Sequence, residues 1–274
     1  MKKLLILTLL LLLATLPALA EGVSEDGFFY AMQADDTVSI SGVRGQVEDT
    51  LTIPSEIEGA PVTKIDGYTF NCRATQVFIP KTLVDIDLDG SNPFDEMPCL
   101  TEIVVEEGNP VFETINGVLF NKQENALIAY PLGRTDTSYA IPEGTRTVIR
   151  NAFYKAPLTE ITFPSTLTEL KREAFNGCEG LKRVELPEGL TEMGRGVFLY
   201  CFGLTEAILP ESLTVIPTEA FFNCSALASV RVSSQLTEIG SSAFSRCYAL
   251  ESIELPTTVT TIAPDAFNGC PFQP

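Results

Sequence analysis

The chain has 274 residues, of which 45% are hydrophobic and 20% are charged, and these proportions are ordinary for a globular, soluble protein. Its 36 acidic and 18 basic residues give a net charge of −18, so nucleic acid and anionic membrane surfaces would repel it. It has no histidine, which removes the commonest general base and every serine–histidine triad from the candidate chemistries.

The first 20 residues have the pattern of a secretory signal peptide. Two lysines follow the initial methionine, residues 4–13 are almost purely apolar, and residues 18–20 (Ala-Leu-Ala) are a small-x-small cleavage site. The alternative, a membrane anchor, needs about 20 apolar residues, and Thr15 and Pro17 interrupt this run. We therefore predict export by the Sec route, no membrane insertion after cleavage, and a protein that is secreted or held at the cell surface.

The mature sequence divides into four parts. Alternating apolar residues around an Asp-Asp turn predict an N-terminal β cap over residues 21–54, because the end of a stacked array needs an atypical unit. Degenerate repeats are predicted over residues 55–107, and an inserted β-hairpin over residues 108–138. Regular 23-residue repeats are predicted over residues 139–274.

The regular repeats carry the strongest signal in the chain. From Phe175 onward, a phenylalanine and a cysteine each return every 23 residues, mostly as Ala-Phe-x-x-Cys. A fixed period of about 20–29 residues with regularly placed Leu and Ile predicts a leucine-rich-repeat solenoid. We expect mostly β strands with short α or 3-10 turns, wound as a right-handed, curved stack of coils with an N-terminal β-hairpin cap.

One repeat, residues 181–201, defines the inward positions that should form the core when coils stack about 4.8 Å apart. The Ala-Phe-x-x-Cys stretch has helical spacing and is long enough for a single turn of α- or 3-10 helix. The inward positions of this repeat are Leu181, Val184, Leu186, Leu190, Met193, Val197, Phe198 and Cys201.

Seven cysteines in an exported protein are an odd number, which can indicate a reactive thiol or an intermolecular disulfide. In-register side chains point the same way, so we predict a buried ladder of free thiols, although the spacing alone permits a disulfide. Cys72 and Cys99 lie off this register, and their redox state stays open. The ladder cysteines are Cys178, Cys201, Cys224, Cys247 and Cys270.

An acidic stretch has the spacing of an EF-hand loop, with Asp85, Asp87, Asp89 and Glu96 in ligand positions. Against calcium binding, Pro93 occupies another ligand position and no flanking helices are predicted. The alternative is an acidic surface turn. With no histidine and no Cys-x2-Cys pair, we predict no metal site and no cofactor for the chain.

The unit Leu-x-x-Ile-x-Leu-Pro-x-x-Leu-x-x-Ile-x4-Ala-Phe-x-x-Cys resembles the BspA-like class of leucine-rich repeats, which occurs in bacterial surface proteins. The resemblance spans about residues 28–270, including the insertion. It implies extracellular recognition, such as adhesion, coaggregation or the binding of host or neighbouring-cell proteins, and it implies no enzyme activity.

The outward side chains of the strands are the predicted binding surface, because the strand face of a solenoid is extended and concave. A solvated, charged face without a ligand is the alternative. The candidate ligand-binding residues are Phe78, Val104, Glu160, Arg183, Glu185, Glu206, Ile208, Arg231 and Glu254.

The sequence therefore favours a non-catalytic extracellular module whose partner is a host or bacterial surface protein. One alternative is a structural surface-layer component that associates with copies of itself. A less favoured one is a glycan-processing enzyme that uses two carboxylates, because acids on a regular solenoid face lack a pocket that would shift their pKa.

Overall fold

The structure, a computed structural model, describes residues 21–67 and 70–272, so the predicted signal peptide lies outside the described residues. Within those ranges the chain forms a solenoid of short β strands joined by turns, with no helix. The predicted leucine-rich-repeat architecture is confirmed. In the same residues, no helix is long and apolar enough to cross a membrane.

The strands follow one another at short intervals along the whole described chain. In chain order they are β1 (Glu21–Val23), β2 (Phe28–Met32), β3 (Val38–Val43), β4 (Thr50–Thr52), β5 (Glu56–Ile57), β6 (Ala60–Ile65), β7 (Gln76–Ile79), β8 (Asp85–Ile86), β9 (Glu102–Val105), β10 (Phe112–Ile115), β11 (Val118–Asn121), β12 (Ala126–Ala129), β13 (Ser138–Ala140), β14 (Thr147–Val148), β15 (Glu160–Thr162), β16 (Glu169–Leu170), β17 (Arg183–Glu185), β18 (Glu192–Met193), β19 (Glu206–Ile208), β20 (Val215–Ile216), β21 (Ser229–Arg231), β22 (Glu238–Ile239) and β23 (Thr261–Ile262).

The N-terminal end changes from antiparallel to parallel pairing. Strands β1, β2 and β3 pair antiparallel, and β3 then pairs in parallel with β6, which pairs in parallel with β8. Strand β5 pairs antiparallel with β6 as a short return. Strands β4, β7 and β9 form a separate parallel sheet. The antiparallel strands thus cover one end of the parallel stack, as a cap would.

The segment that interrupts the period contains three antiparallel strands, β10, β11 and β12, where a two-stranded hairpin was predicted. Its last strand also pairs in parallel with β14, with Leu127 opposite Val148. The segment is therefore continuous with the ladder of the following coils, and β12 serves both as part of the insertion and as the first strand of that ladder.

Two parallel ladders run through the regular repeats, and both are interrupted. The first contains β13–β15 and β17–β19–β21, and the second contains β12–β14–β16–β18 and β20–β22–β23. Gly194 N and Gly240 N each donate a hydrogen bond to the preceding coil. Pro217 occupies the equivalent position and has no N–H to donate, so the second ladder breaks between β18 and β20.

The Ala-Phe-x-x-Cys stretch forms consecutive tight turns, and the prediction of a helical turn is wrong. Its N–H groups alternate between two acceptors, because Asn176 N donates within the turn to Glu173 O (3.0 Å), whereas Phe175 N donates to Val197 O of the next coil (2.9 Å). Glu173 and Gly177 have φ angles of 58° and 76°, which a right-handed helix does not contain. Hydrogen bonds of this stretch therefore join the coils on a third side, in addition to the two strand ladders.

The repeat phenylalanines stack in one buried row. Consecutive ring centroids lie 4.7–5.4 Å apart, with interplanar angles of 3–18°. Each buried ring is worth about 1.5–3 kcal/mol in burial. The predicted inward positions of residues 181–201 are all buried except Met193, which is partly buried. The row consists of Phe153, Phe175, Phe198, Phe221, Phe244 and Phe267.

The in-register cysteines form the predicted ladder beside this row, and all five are free thiols. Each Sγ donates to the carbonyl oxygen of a phenylalanine in the preceding coil at 3.0–3.2 Å. Burial raises the pKa of all five thiols. Because the reactive thiolate is suppressed, the ladder is core filling. Cys72 and Cys99 are also free, and only Cys72 of these two is buried.

Two hydrophobic cores meet in the insertion, one including residues from 28 to 129 and the other residues from 118 to 267. Asn92 Nδ2 donates to Ile128 O (2.8 Å), and Asn151 Nδ2 donates to Asp95 Oδ2 (2.7 Å). Burial raises the pKa of Asp95 to about 7. This polar junction links the degenerate coils to the regular coils.

Candidate protein-binding surfaces

Eight of the nine predicted ligand-binding residues lie on strands, and Glu254 lies outside any strand. These strands belong to the sheet β4–β7–β9 and to the first ladder, and we call their outward side the strand face. Two of the residues, Phe78 and Val104, are neighbours on β7 and β9 and are partly buried. Strands β10 and β11 pack against β9, so the insertion separates this pair from the other candidates. The structure therefore divides the predicted surface into an N-terminal pair and a larger C-terminal group.

The C-terminal group is ordered by the three-stranded sheet β17–β19–β21. Its pairing aligns Glu185, Ile208 and Arg231 in one row and places Arg183 opposite Glu206 in a second row. Side chains at paired positions lie on the same face of the sheet. The backbone thus fixes the relative positions of five candidate side chains.

Arg183 is the centre of the charge network on this sheet. Its Nε lies 2.7 Å from a Glu206 oxygen and its Nη1 lies 2.8 Å from a Glu185 oxygen. The hydrogen bond to Glu206, followed by that to Glu185, raises the pKa of Arg183. Exposed ion pairs add little to stability, so the effect of this network is to hold the three side chains in defined orientations.

The first ladder has a gap between β15 and β17, which we call the seam. In neighbouring coils, Ile141 N and Leu186 N donate to Thr162 O and Ile208 O, each at 3.0 Å. Phe163 N occupies the equivalent place and makes no such bond to Glu185, and β15 and β17 are not paired. A groove of about 740 Å³ opens there, lined by side chains of both coils. Backbone polar groups that pair elsewhere in the ladder are available here.

The seam coincides with a larger side chain at one inward position. Phe163 stands where the neighbouring coils have Ile141, Leu186 and Leu209. Its ring packs edge-on against Phe175, with centroids 5.6 Å apart, and it lines the groove. The extra volume of a phenyl ring at this position gives a physical reason for the missing strand pairing.

Glu160 is the free carboxylate of the seam. It is exposed on β15 and lines the groove. Arg183, its counterpart on β17, pairs with Glu185 and Glu206 instead. Within the described ranges no ion pair or side-chain hydrogen bond involves Glu160. A cationic group entering the groove would therefore meet a carboxylate that has no partner to give up.

A second, smaller gap lies beyond β21, where residues 252–254 run alongside without forming a strand. A groove of about 350 Å³ lies between the two segments and includes Arg231 and Glu254 in its lining. The sheet β17–β19–β21 is thus flanked by a groove on each side. The candidates Glu160 and Glu254 each lie at one of these grooves.

The acidic stretch with EF-hand spacing does not converge on a point. Asp85 lies 3.6 Å from the Lys64 ammonium, and Asp87 accepts a hydrogen bond from Asp89 N at 3.0 Å. Within residues 21–67 and 70–272, no group of three or more acidic or cysteine side chains is placed to hold a metal ion. The geometry is that of an acidic turn that partly pairs with a neighbouring coil.

Comparison with known proteins agrees with the repeat seen in the fold. Residues 146–273 match the family model of the BspA-type leucine-rich repeat region in six copies. These residues are therefore repeats of the BspA type. Among curated proteins, no significant match is found.

Comparison with solved structures finds matches to several bacterial proteins. A leucine-rich repeat protein of Eubacterium ventriosum is 20% identical, with a TM-score of 0.63 over 93% of this chain and 95% of the other. A leucine-rich cell surface protein of Faecalibacterium prausnitzii is 21% identical, with a TM-score of 0.43 over 92% and 86%. The pneumococcal vaccine antigen PcpA is 17% identical, with a TM-score of 0.44 over 90% and 94%. The first of these likenesses, with a TM-score of 0.63 at 20% identity, shows a shared fold.

The BspA-type repeats also carry an exposed group of aromatic side chains that the sequence reasoning missed. These residues lie on the turn side, next to the Ala-Phe-x-x-Cys positions. The Tyr200 ring lies 5.9 Å from the Phe202 ring and 5.8 Å from the Phe222 ring, and the Arg246 guanidinium lies 5.3 Å from the Phe222 centroid. We call these four residues the aromatic cluster and include with them the exposed Tyr248, which follows Arg246 by two residues as Phe202 follows Tyr200.

A sequence signal for the aromatic cluster was present in the variable positions of the BspA-type repeat. The residue two places after the repeat phenylalanine is Gly177, Tyr200, Asn223, Arg246 and Gly269 in successive coils. A tyrosine stands where small or polar residues otherwise occur. A search for aromatic residues outside the periodic core pattern would have found it.

Proposed function

We propose that this chain is an exported, non-catalytic module that recognises a protein on a host or neighbouring cell through its strand face. The observation that carries the proposal is the sheet β17–β19–β21, which orients five outward side chains in two rows between two grooves. A pre-ordered, extended surface loses little conformational freedom when it binds, and this favours affinity.

The charge of the surface supports a basic partner. After removal of residues 1–20, the chain has 16 basic and 36 acidic residues, so its field attracts cationic surfaces. Glu160 offers an unpaired carboxylate in the seam, next to the row of Glu185, Ile208 and Arg231. A lysine or arginine side chain of the partner could pair with Glu160 while an apolar side chain contacts Ile208.

The extracellular location is part of the proposal and rests on the signal-peptide pattern of residues 1–20. Adhesion is the activity that best fits an exported recognition module that lacks histidine. The carboxyl whose pKa burial raises to about 7, that of Asp95, lies at the junction of the cores and not on the strand face.

The test is a binding screen with the purified mature protein against an array of extracellular-matrix proteins and against intact neighbouring bacteria. We expect at least one target to bind the wild type and to lose at least about tenfold in affinity with Ile208→Asp, which removes the apolar contact, and with Glu160→Gln, which removes the unpaired carboxylate. Affinity for a basic target should also fall as salt is raised, because salt screens exposed charges.

Val215→Asp is the matched control for Ile208→Asp. Val215 lies on β20 of the same coil, is 38% exposed, and belongs to the other ladder. The two variants introduce the same charge at similar positions in short parallel strands. Equal losses in both variants, or full binding in both, would contradict recognition by the strand face.

A further inference from the structure

The aromatic cluster exposes apolar surface that the core does not use. Tyr200 is 40% exposed, Phe202 is 37% exposed and Tyr248 is 58% exposed. None of them belongs to the row of stacked phenylalanines, which is continuous without them. Adjacent exposed aromatic rings on a soluble protein are typical of interaction sites.

Tyr200 also has an unfavourable backbone conformation. Its φ angle is 59°, and a bulky residue with positive φ is rare because its Cβ contacts the backbone. The same place in other coils is filled by Gly177 and Gly269, with φ angles of 76° and 87°, by Asn223 at 59°, and by a second bulky residue, Arg246, at 63°. Glycine and asparagine tolerate this region, so Tyr200 combines backbone strain with exposure of an aromatic ring.

The geometry of the rings favours a protein ligand over a sugar. The Tyr200 ring makes interplanar angles of 52° with Phe202 and 88° with Phe222, so the rings present an uneven surface and not a flat row. The Arg246 guanidinium covers one face of the Phe222 ring. An uneven apolar surface matches aliphatic side chains, whereas sugar rings stack on flat faces.

The polar residues around the cluster indicate the charge of the ligand. Within the described part of the chain, the Arg246 side chain makes no ion pair or side-chain hydrogen bond, and its guanidinium lies over the Phe222 ring. Asn223 lies in the same turn as Phe222, and Ser225 begins the next turn. Tyrosine and arginine surrounded by asparagine and serine are typical of protein-binding surfaces. An exposed arginine with no acidic partner is free to pair with a carboxylate of a ligand.

We propose that the aromatic cluster is a second protein-binding surface, separate from the strand face, and that its ligand is a peptide segment with aliphatic side chains next to an aspartate or glutamate. The aliphatic groups contact Tyr200, Phe202 and Tyr248, and the carboxylate pairs with Arg246. The two surfaces would select ligands of opposite charge, basic at the strand face and acidic at the aromatic cluster.

The test uses a display library of random 12-residue peptides, selected on the purified mature protein and re-tested on variants. Tyr200→Gly introduces the residue that two other coils have at this position, Gly177 and Gly269, so we expect an unchanged or higher melting temperature. We expect a subset of selected peptides, enriched in aliphatic and acidic residues, to lose at least about tenfold in binding to Tyr200→Gly and to Arg246→Gln. Binding of this subset should persist in Ile208→Asp on the strand face.

Phe29→Ser is the control for loss of an exposed aromatic ring, because Phe29 lies on β2 and is 42% exposed. The proposal is overturned if no selected peptide depends on both Tyr200 and Arg246, or if the dependent peptides are basic. It is also overturned if light scattering shows a dimer that Tyr200→Gly dissociates, since a second copy of the chain would then occupy the cluster. A melting temperature lowered by Tyr200→Gly would show that the ring serves stability.

Discussion

Replacement of Asp95 by asparagine should make the protein more stable at neutral pH. Asp95 Oδ2 accepts a hydrogen bond from Asn151 Nδ2 at 2.7 Å, while Asn151 Oδ1 is buried without a partner. An asparagine amide at position 95 could keep the first bond through its oxygen and donate the missing one to Asn151 Oδ1. It would also remove the cost of burying a carboxylate charge at the junction of the two cores.

The size of the effect follows from the pKa of Asp95, which burial raises from an ordinary 3.8 to about 7 against the opposing hydrogen bond from Asn151 and the charge of Arg150. At a pH between these two pKa values, Asp95 stays protonated in the folded state and is ionised in the unfolded state. The wild type therefore loses stability as pH rises from about 4 to about 7, by about 1.4 kcal/mol per pKa unit and at most about 4 kcal/mol in total.

The assay is urea unfolding of the mature wild type and of Asp95→Asn from pH 4.5 to pH 8. We expect the difference in unfolding free energy between the two proteins to grow in favour of the variant as pH rises, and to level off above about pH 7. Glu107→Gln, which removes an exposed carboxylate near the insertion, controls for the general loss of negative charge. A difference that stays constant over this range would refute the reasoning, because it would show that Asp95 is ionised in both states.

Three further outcomes are expected from the repeat itself. Phe221→Ala, in the middle of the stacked row, should cost about 3–5 kcal/mol in urea unfolding, and a loss under about 1 kcal/mol would contradict the ladder. Thiol counting in denaturant without reductant should find at least five free cysteines, and the buried ladder thiols should react with a thiol reagent only after unfolding. Phe163→Leu should close the seam, so hydrogen exchange at the amide of residue 163 should slow, whereas exchange as fast as in the wild type would show that the ring does not cause the gap.

The periodic part of the fold could be predicted closely from the sequence. A 23-residue return of Phe and Cys determines which residues face inward, because every coil must bury the same positions against its neighbours. Phe198 and Cys201 lie in the core as the pattern predicts. The break of the second ladder at Pro217 was also readable, since proline lacks the N–H that the position donates elsewhere.

The conformation of the Ala-Phe-x-x-Cys stretch could not be derived from local spacing. Its spacing is compatible with a helical turn, but a helix would direct its N–H groups to its own carbonyls. In the stack, Phe175 N and Phe198 N donate to the next coil instead. The competing acceptors belong to another repeat, so the choice between helix and turn depends on tertiary contacts that no single repeat contains.

For the candidate surfaces too, the features that follow the repeat could be predicted from the sequence, and those that depart from it could not. The outward rows of the strand face follow from strand alternation, so residues such as Arg183 and Ile208 could be named from the sequence. The seam could not, because it depends on how one bulky inward residue, Phe163, alters the spacing of two coils.

The aromatic cluster depends on departures from the repeat. In a solenoid, a position that changes identity from coil to coil is free of the demands of the core, so its residue type is chosen by the surface or by a ligand. Tyr200 and Arg246 are the two bulky residues at a position whose positive φ favours the glycine or asparagine of the other coils from Phe175 onward, and the exposed Tyr200 ring receives no compensation from the core. Stability alone would favour glycine there. The departures from the period, more than the period itself, therefore indicate where this solenoid is specialised for binding.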